Sequence, residues 1–352
     1  MIAPSVWIRR NLFPNWTSSA LTLLMLVLFA LVIPPLVRWA ITDATISGTS
    51  RAACDGDGAC WTFIRVRFDL FFYGRYPDSE RWRLHAAVLL LIASGLLTFK
   101  APQKYRGVAG LALLTLVPTA SGILLVGGVP GLPYVPTNAW GGLMLNILLT
   151  LVAGTGGFIL GIILAFGRRS NLPVIRWVSV CFIELWRGVP LLTVLFMAML
   201  LMPLFMPRGV TVDNLVRAML ALTLFTGAYM AEIVRGGLQA IPREQVEAAT
   251  ALGLRPWSVQ LFVVLPQALR LVVPGVANTV IDLFKDTTLV SIVGLFDLLG
   301  VVTQAQKDQA WLGMAREGYV FAAGVFFLSC LLMSTLSRIV EQSAPGRSKH
   351  SR

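Results

Sequence analysis

The stretch EQVEAATALG, Glu244–Gly253, is a short polar segment between two long apolar tracts. Pro242, just before it, suits the first turn of a helix, where the missing N–H of proline leaves nothing unpaired. Glu244 and Glu247 lie near the positive end of such a helix, and Gly253 suits a left-handed residue that ends it. The alanines between them are small, so the segment predicts a short helix that another backbone can approach closely. On these residues alone, a docking helix and an amphipathic interfacial helix fit equally well.

The chain around this segment is strongly apolar. It has 352 residues, of which 56% are hydrophobic and 13% charged, and its mean hydropathy is +0.75. Soluble domains carry about a quarter charged residues, whereas tracts long enough to cross hydrocarbon recur along this whole chain. The sequence therefore predicts an all-α polytopic membrane protein in a lipid bilayer. The net charge of +12 does not indicate a nucleic-acid partner, because loop arginines and lysines also orient membrane proteins.

Hydropathy predicts eight transmembrane helices. A span needs about 20 residues, so the second predicted helix is short. The fifth and seventh are over-long, which indicates a break or a shelf at the membrane interface. The predicted spans lie near residues 17–38, 84–98, 108–127, 141–167, 177–206, 215–235, 271–299 and 318–338.

Loop charges predict the orientation. With the N-terminus inside, the two short outer loops, 128–140 and 207–214, carry only Arg208, while positive residues fill the inner segments. This asymmetry places both termini in the cytoplasm. The inner positive residues are Arg9, Arg10, Lys100, Lys104, Arg106, Arg168, Arg169, Arg176, Arg243, Arg255, Arg270, Arg338, Arg347, Lys349 and Arg352.

A Pro/Gly-rich stretch that ends near residue 140 divides the chain. Residues 1–140 form a three-span extension with a long outer loop, 42–83. Residues 141–340 form a five-span core with the cytoplasmic loop 236–270, and residues 341–352 form a cytoplasmic tail. Cys54 and Cys60 lie in the outer loop, where an oxidising compartment permits a disulfide across a tight turn; a solvated turn is the alternative. With only two histidines in the chain, no metal site is expected.

Ionisable residues within spans are costly and point to function. Glu184 and Arg187 are three residues apart, as are Glu232 and Arg235, so each pair can form within one helix; gating and purely structural roles both fit. Small residues in the fourth span predict close helix packing. They are Gly154, Gly156, Gly157 and Gly161.

Lys285 and Asp286 interrupt the seventh span and precede Thr287 and Thr288. Irregular backbone at membrane depth is tolerated where it faces a cavity, and adjacent opposite charges suit a zwitterionic amino acid. These four residues are therefore candidates for a substrate pathway. Neutralisation of Lys285 and Asp286 by each other or by a partner subunit is the alternative, and Asp282, one turn earlier, can also pair with Lys285.

The spacing around the opening stretch resembles a known family. Glu247-Ala248-Ala249, then Gly253, then Val263-Val264-Leu265-Pro266 is similar to the EAA motif of ABC-importer membrane subunits, with Val263 in the usual isoleucine position. Four longer stretches resemble polar amino-acid permeases: Phe182–Phe196, Tyr229–Gly253, Leu265–Thr279 and Phe284–Gly300. GRYPDSERWR, Gly74–Arg83, and the paired loop cysteines resemble the general L-amino-acid permease branch, which has three extra N-terminal spans.

The resemblance implies a type I ABC-importer permease fold in a bacterial inner membrane. It implies that this chain forms the translocation pathway with a second permease subunit, expected to be a paralogue. Two cytoplasmic ATPases would dock on the EAA helices, and a periplasmic binding protein would deliver an L-amino acid. Docking is then expected to involve Glu247, Ala248, Ala249 and Gly253, with Leu265 and Pro266 anchoring the helix to span seven. Ordinary packing with a helix break at Pro266 is the alternative for these last two.

Two other classes of function compete with this one. An ion-coupled secondary transporter or channel needs its own coupling-ion site and often inverted repeats, neither of which is visible. A membrane enzyme needs convergent catalytic groups, which the spans do not offer. The chain also has no G-x-x-x-x-G-K-[ST] phosphate loop, so ATP and Mg²⁺ are expected on a partner ATPase and no cofactor is expected on this chain.

Overall fold

The computed structural model describes residues 4–54, 56–102 and 105–343. Lys104 and the tail beyond residue 343 lie outside the described residues. The α-helices are α1 Pro4–Leu12, α2 Trp16–Val37, α3 Trp61–Val66, α4 Phe68–Tyr73, α5 Trp82–Lys100, α6 Arg106–Val126, α7 Gly142–Arg168, α8 Pro173–Gly188, α9 Leu191–Leu200, α10 Asn214–Gln239, α11 Arg243–Ala251, α12 Pro256–Ser258, α13 Leu265–Asp286, α14 Leu298–Ala305 and α15 Ala315–Ser343. Turns of π-helix cover Arg38–Thr42 and Val259–Val264, and 3-10 helix covers Thr287–Val293.

All eight predicted spans fall on helices. Within the described residues, six helical runs are long and apolar enough to cross a membrane: Trp16–Thr42, Asp78–Thr98, Gly142–Arg168, Asn214–Gln239, Pro256–Val293 and Ala315–Glu341. Helices α8 and α9 form a further pair bent by 104°, which is the break that the over-long fifth tract predicted. Pro190 precedes α9 and cannot continue a preceding helix. The third predicted span is α6.

The chain forms two compact units. The smaller comprises residues up to 68 together with 305–321, and the larger comprises residues 69–304 and those from 322 onward. Residues 69–140 therefore group with the core spans in this division. The division predicted at residue 140 separates three N-terminal spans from five core spans, and it stays a prediction.

A disulfide and a buried carboxylate organise the smaller unit. Cys54 and Cys60 are bonded, with their Cα atoms 5.6 Å apart. The backbone N–H of Cys60 donates to Oε1 of Glu317 (3.3 Å), a side chain that is 6% exposed. The Phe63 and Trp311 rings pack at 5.5 Å between centroids. The outer loop is thus tied to the first turn of α15, at Glu317, and to the segment before it, at Trp311.

Close approach of α7 and α10 organises the larger unit. A Cβ atom added at Gly161 would lie 2.5 Å from Cβ of Met230, and one added at Gly157 would lie 2.9 Å from Thr226. Neither site has room for a side chain, since such distances are not tolerated in close-packed interiors. The predicted close packing is seen at Gly156, Gly157 and Gly161, with α10 as the partner helix, whereas the nearest neighbour of Gly154 is Leu283 on α13, at an ordinary contact distance.

The motif Gly74–Arg83 is folded onto the start of α7. Gly74 has a φ of +62°, and its Cα packs directly on Gly141. The hydroxyl of Tyr76 donates to the carbonyl of Leu125 (2.8 Å). Arg83 is fully buried and pairs with Glu80 (2.7 Å). A buried charge of this kind is tolerated because it is paired.

Candidate functional site

The loop 236–270, here called the coupling loop, carries α11 at its centre. On α11, Ala249 is 5% exposed and packs into an apolar cluster with Val234 and Val264. Glu247 and Ala248 lie on the exposed side. One face of the short helix is therefore fixed to the spans and the other is exposed. Ala249 was predicted as a docking contact or as a residue that sets the shape of the helix; its burial agrees better with the second role, and the docking itself stays a prediction.

Gly253 ends α11 in the left-handed conformation, with a φ of +79°. Its N–H donates to the Thr250 carbonyl (2.9 Å), and the N–H of Leu254 donates to the Ala249 carbonyl (3.3 Å). This pair of bonds is the Schellman arrangement, which satisfies the last carbonyls of a helix. The turn leaves the side chain of Leu252 83% exposed. The predicted glycine stop is thus present, and it presents an apolar side chain beside the exposed face of α11.

The helix break at Pro266, considered from the sequence as the alternative for Leu265 and Pro266, is not present. The helix that starts at Pro256 runs without interruption through the π-turn Val259–Val264 into α13. Proline normally breaks a helix because it lacks an N–H and its ring meets the carbonyl four residues earlier. Here the wider turn relaxes that constraint, and the N–H of Leu265 donates to the carbonyl five residues earlier, at Gln260. Leu265 and Pro266 therefore join the coupling loop to span seven through continuous helix.

Charged residues at one end of the core form a single network across three helices. Arg168, the last residue of α7, contacts both Glu184 on α8 (3.0 Å) and Glu232 on α10 (2.8 Å). Glu232 also pairs with Arg235 (2.7 Å), as predicted. The predicted local pair of Glu184 with Arg187 is wrong, because Glu184 turns to Arg168 and Arg187 lies 3.9 Å from Glu232. Sequence reasoning treated Arg168 only as a loop charge.

A cavity of about 460 Å³ lies between α10 and α13. Its lining residues are Phe225, Thr226, Tyr229, Thr279, Asp282, Leu283, Lys285 and Asp286. The cavity therefore has two carboxylates and one ammonium on α13, facing aromatic and hydroxyl groups of α10. A site of this size and mixed polarity suits a small zwitterionic ligand.

Lys285 and Asp286 do not pair with each other in the cavity. Lys285 binds Asp282 (2.8 Å), the alternative partner considered from the sequence. Asp286 makes no ion pair within 4 Å in the part of the chain that the structure describes. Thr287 is fully buried and Thr288 donates to the Lys285 carbonyl (2.8 Å). Thr287 likewise donates to the Phe284 carbonyl (2.7 Å), so both threonines bond to backbone groups at the helix end. Neither is among the residues that line this cavity, and their place in a substrate pathway stays a prediction.

A buried polar cluster near the start of α7 was missed from the sequence. The side-chain amide of Asn146 donates to Thr287 Oγ1 (2.8 Å) and to Asp297 Oδ2 (3.1 Å), and its oxygen accepts from the Leu298 N–H (3.0 Å). Asn146 and Asp297 are both fully buried. An asparagine inside an otherwise apolar helix is the signal that could have found it, because buried amides require partners. The cluster ties α7 to the end of span seven.

Asp297 lies beyond the end of span seven at Val293, and burial raises its pKa to about 6. Donation by the Gly300 N–H and the Asn146 amide opposes this shift. Because the folded pKa exceeds the unfolded value of about 3.9, the stabilising contribution is complete below pH ~4 and is lost as the pH rises through about 6. Asp297→Asn removes this titration and keeps the shape.

We therefore expect the unfolding temperature of the wild-type protein in detergent to fall relative to that of Asp297→Asn between pH ~4 and ~6. Above pH ~7 the difference between the two proteins is expected to be constant. Thermal unfolding followed by tryptophan fluorescence across this pH range measures the effect. Parallel curves over the whole range would contradict the assignment.

Comparisons with known proteins agree with this architecture. Residues 157–344 match the family described as "Binding-protein-dependent transport system inner membrane component". The chain is 48% identical over 346 residues to the inner membrane amino-acid ABC transporter permease protein YhdY of Escherichia coli (strain K12), covering 98% of this chain and 94% of that one. It is 35% identical to the glutamate/glutamine/aspartate/asparagine transport system permease protein BztC of Rhodobacter capsulatus, covering 96% and 92%.

A solved structure matches the core. A crystal structure of an amino acid ABC transporter with histidines superimposes with a TM-score of 0.51 at 29% identity. The match covers 57% of this chain and 92% of that chain.

Proposed function

The chain belongs to the family of binding-protein-dependent transport system inner membrane components, and on this basis we propose how it works as a transmembrane permease subunit of an ABC importer of amino acids. It is a transport subunit and not an enzyme. The observation that carries the proposal is the likeness to amino-acid permeases along nearly the whole chain. An ion-coupled secondary transporter is not favoured.

We propose that ATP hydrolysis takes place on two separate cytoplasmic ATPases and that one of them docks on the coupling loop. The exposed side of α11, with Glu247 and Ala248, and the neighbouring Leu252 form the docking surface. Ala249 holds this surface against the spans. A short helix fixed on one side transmits the movement of a partner as a rigid body. The continuous helix through Leu265 carries that movement toward the cavity.

We propose that the cavity between α10 and α13 is part of the pathway of an L-amino acid. Lys285 pairs with Asp282 and therefore does not neutralise its neighbour Asp286. Asp286 then supplies a carboxylate for the substrate ammonium. The charge network around Glu232 holds α7, α8 and α10 together at the cytoplasmic end of the pathway. Breaking and reforming such pairs is a recurring element of gating transitions.

The remaining assembly is also part of the proposal. Both termini lie in the cytoplasm of a bacterium, in accordance with the loop charges. A second permease subunit, a paralogue of this chain, completes the pathway, and a periplasmic amino-acid-binding protein delivers the substrate at the opposite face.

Purification and reconstitution test the proposal as a whole. The chain is tagged, expressed with its candidate partners and isolated, and amino-acid uptake into proteoliposomes is measured with and without ATP. We expect an ATPase and a second permease to co-purify with the chain. We also expect ATP-dependent uptake that requires the binding protein. Uptake by this chain alone under an ion gradient would instead establish the secondary-transporter alternative.

Asp286→Asn tests the pathway. The variant keeps the size of the side chain but removes the carboxylate, so we expect uptake to fall roughly tenfold or more while binding-protein-stimulated ATP hydrolysis continues. Asp57→Asn, in the exposed outer loop, is the control and should transport normally. Wild-type uptake by Asp286→Asn would remove this residue from the pathway.

A further inference from the structure

A second polar cavity, of about 520 Å³, lies at the end of the core where α7 and α10 begin. Three chain segments line it: Thr137, Asn138 and Trp140 before α7, residues 211–215 at the start of α10, and residues 294–296 after span seven. Arg75, from the motif Gly74–Arg83, completes the lining. In the orientation proposed above, this cavity opens on the periplasmic face.

Arg75 differs from the other charged residues of its motif. Asp78 pairs with Arg81 (2.6 Å) and Glu80 pairs with Arg83 (2.7 Å). Arg75 is exposed and has no carboxylate within 4 Å among the residues that the structure describes. Its guanidinium is therefore available to a ligand, and guanidinium groups bind carboxylates with two parallel hydrogen bonds.

The carboxylate of the same cavity is already occupied. Asp213 accepts from the Thr137 hydroxyl and, as the N-cap of α10, from the Leu215 N–H (2.8 Å). Trp140, which also lines the cavity, is 5% exposed, and its indole N–H has no acceptor in the described part of the chain. A buried donor without an acceptor costs free energy. Because the indole nitrogen is itself buried, the group that the cavity offers to a ligand is the Arg75 guanidinium, which favours an incoming carboxylate.

We propose that this cavity receives an acidic side chain on the surface of the periplasmic binding protein, with Arg75 as its charge partner. The proposal rests on the import function given above. A free amino acid is not the favoured occupant, because small ligands are mostly enclosed by their sites, whereas Arg75, Asn138 and Asn214 on this rim are exposed. Arginine and aromatic residues are enriched at protein interfaces relative to the rest of the surface.

The cavity borders both the start of α7 and the end of span seven. Its wall includes Phe296, whose carbonyl accepts from the Gly142 N–H (2.9 Å) at the start of α7. The segment 294–296 follows directly on the span that carries Lys285 and Asp286. A partner bound here touches both α7 and the end of that span, so docking at this face and the shape of the pathway are physically connected.

The test uses the reconstituted complex of permeases and ATPases, with ATP hydrolysis measured as the binding protein, loaded with L-glutamate or L-glutamine, is titrated. For Arg75→Glu we expect the concentration of binding protein that gives half-maximal stimulation to rise roughly tenfold or more, because charge reversal repels the acidic partner. Arg75→Lys, which keeps the charge but loses the two parallel hydrogen bonds of the guanidinium, should lie between wild type and Arg75→Glu. The matched control Arg208→Glu reverses another exposed outer arginine that does not line this cavity, and should have no effect.

Half-maximal stimulation of Arg75→Glu at the wild-type concentration would overturn the proposal. It would also be overturned if Arg75→Glu lost binding of free radiolabelled glutamate or glutamine to the complex without the binding protein, since the cavity would then be a substrate site. Rescue of Arg75→Glu by an acidic-to-arginine change on the binding protein would support it. A wild-type complex that no binding protein stimulates would contradict the import function itself, before any variant is compared.

Discussion

Glu247→Arg is expected to abolish ATP-dependent uptake while leaving the membrane-inserted chain intact. Glu247 is exposed on α11 and makes no ion pair within the described residues, so reversing its charge disturbs no contact inside the chain. An exposed charge at a docking surface contributes to recognition of the partner. We expect the amount of ATPase that co-purifies with the permease to fall roughly tenfold or more.

Leu252→Asp should have the same effect for a different reason. Leu252 is 83% exposed, so its apolar side chain does not stabilise the isolated fold, and burial of apolar anchors is what dominates protein interfaces. The matched control is Leu204→Asp, which changes an equally apolar and 76% exposed residue beyond the end of α9. ATPase binding to the wild type, Leu252→Asp and Leu204→Asp is measured on detergent-solubilised complexes. Normal ATPase binding by both Glu247→Arg and Leu252→Asp would exclude this face of the coupling loop as the docking surface.

Gly161→Leu is expected to prevent accumulation of folded protein. Even the Cβ of an added side chain would lie 2.5 Å from Met230 Cβ and 2.9 Å from the Ala231 nitrogen. The backbones of α7 and α10 must separate to admit it, which costs more than the roughly 1–3 kcal/mol typical of overpacking. Size-exclusion chromatography of the solubilised protein, followed by fluorescence, measures the loss.

A pair of single-methyl changes isolates the steric cause. Gly161→Ala should lower the unfolding temperature, whereas Gly154→Ala should preserve or raise it. At Gly154, on the same helix, the nearest atom to an added Cβ is 3.6 Å away, an ordinary contact, and alanine favours helix over glycine by about 1 kcal/mol. Equal unfolding temperatures for the two variants would show that the crossing of α7 and α10 is not closely packed in the membrane.

Local features of this chain were predictable because their causes lie within a few residues. The stop at Gly253 follows from one glycine, the close packing of α7 from a run of glycines on one helix, and the break in the fifth span from the excess length of its apolar tract. The pair of Glu232 with Arg235 lies within a single helical turn. For the same reason the spans themselves could be located from apolar length alone.

Contacts between distant segments could not be predicted in this way. Arg168 reaches Glu232 across 64 positions of sequence, and Asn146 reaches Asp297 across 151, so no local spacing indicates either contact. The absence of a helix break at Pro266 could not be predicted for another reason. The rule for proline assumes α-helical geometry, and a single π-turn changes which carbonyl the ring faces.

The unbroken helix from Pro256 to Asp286 has a mechanical consequence. At 1.5 Å per residue it is about 45 Å long, so a tilt of only ~5° about its outer end displaces its inner end by ~4 Å. Conversely, a displacement of a few ångströms at the coupling loop appears beside Asp286 as a small rotation of the helix axis. The cavity can therefore change shape without any change of secondary structure.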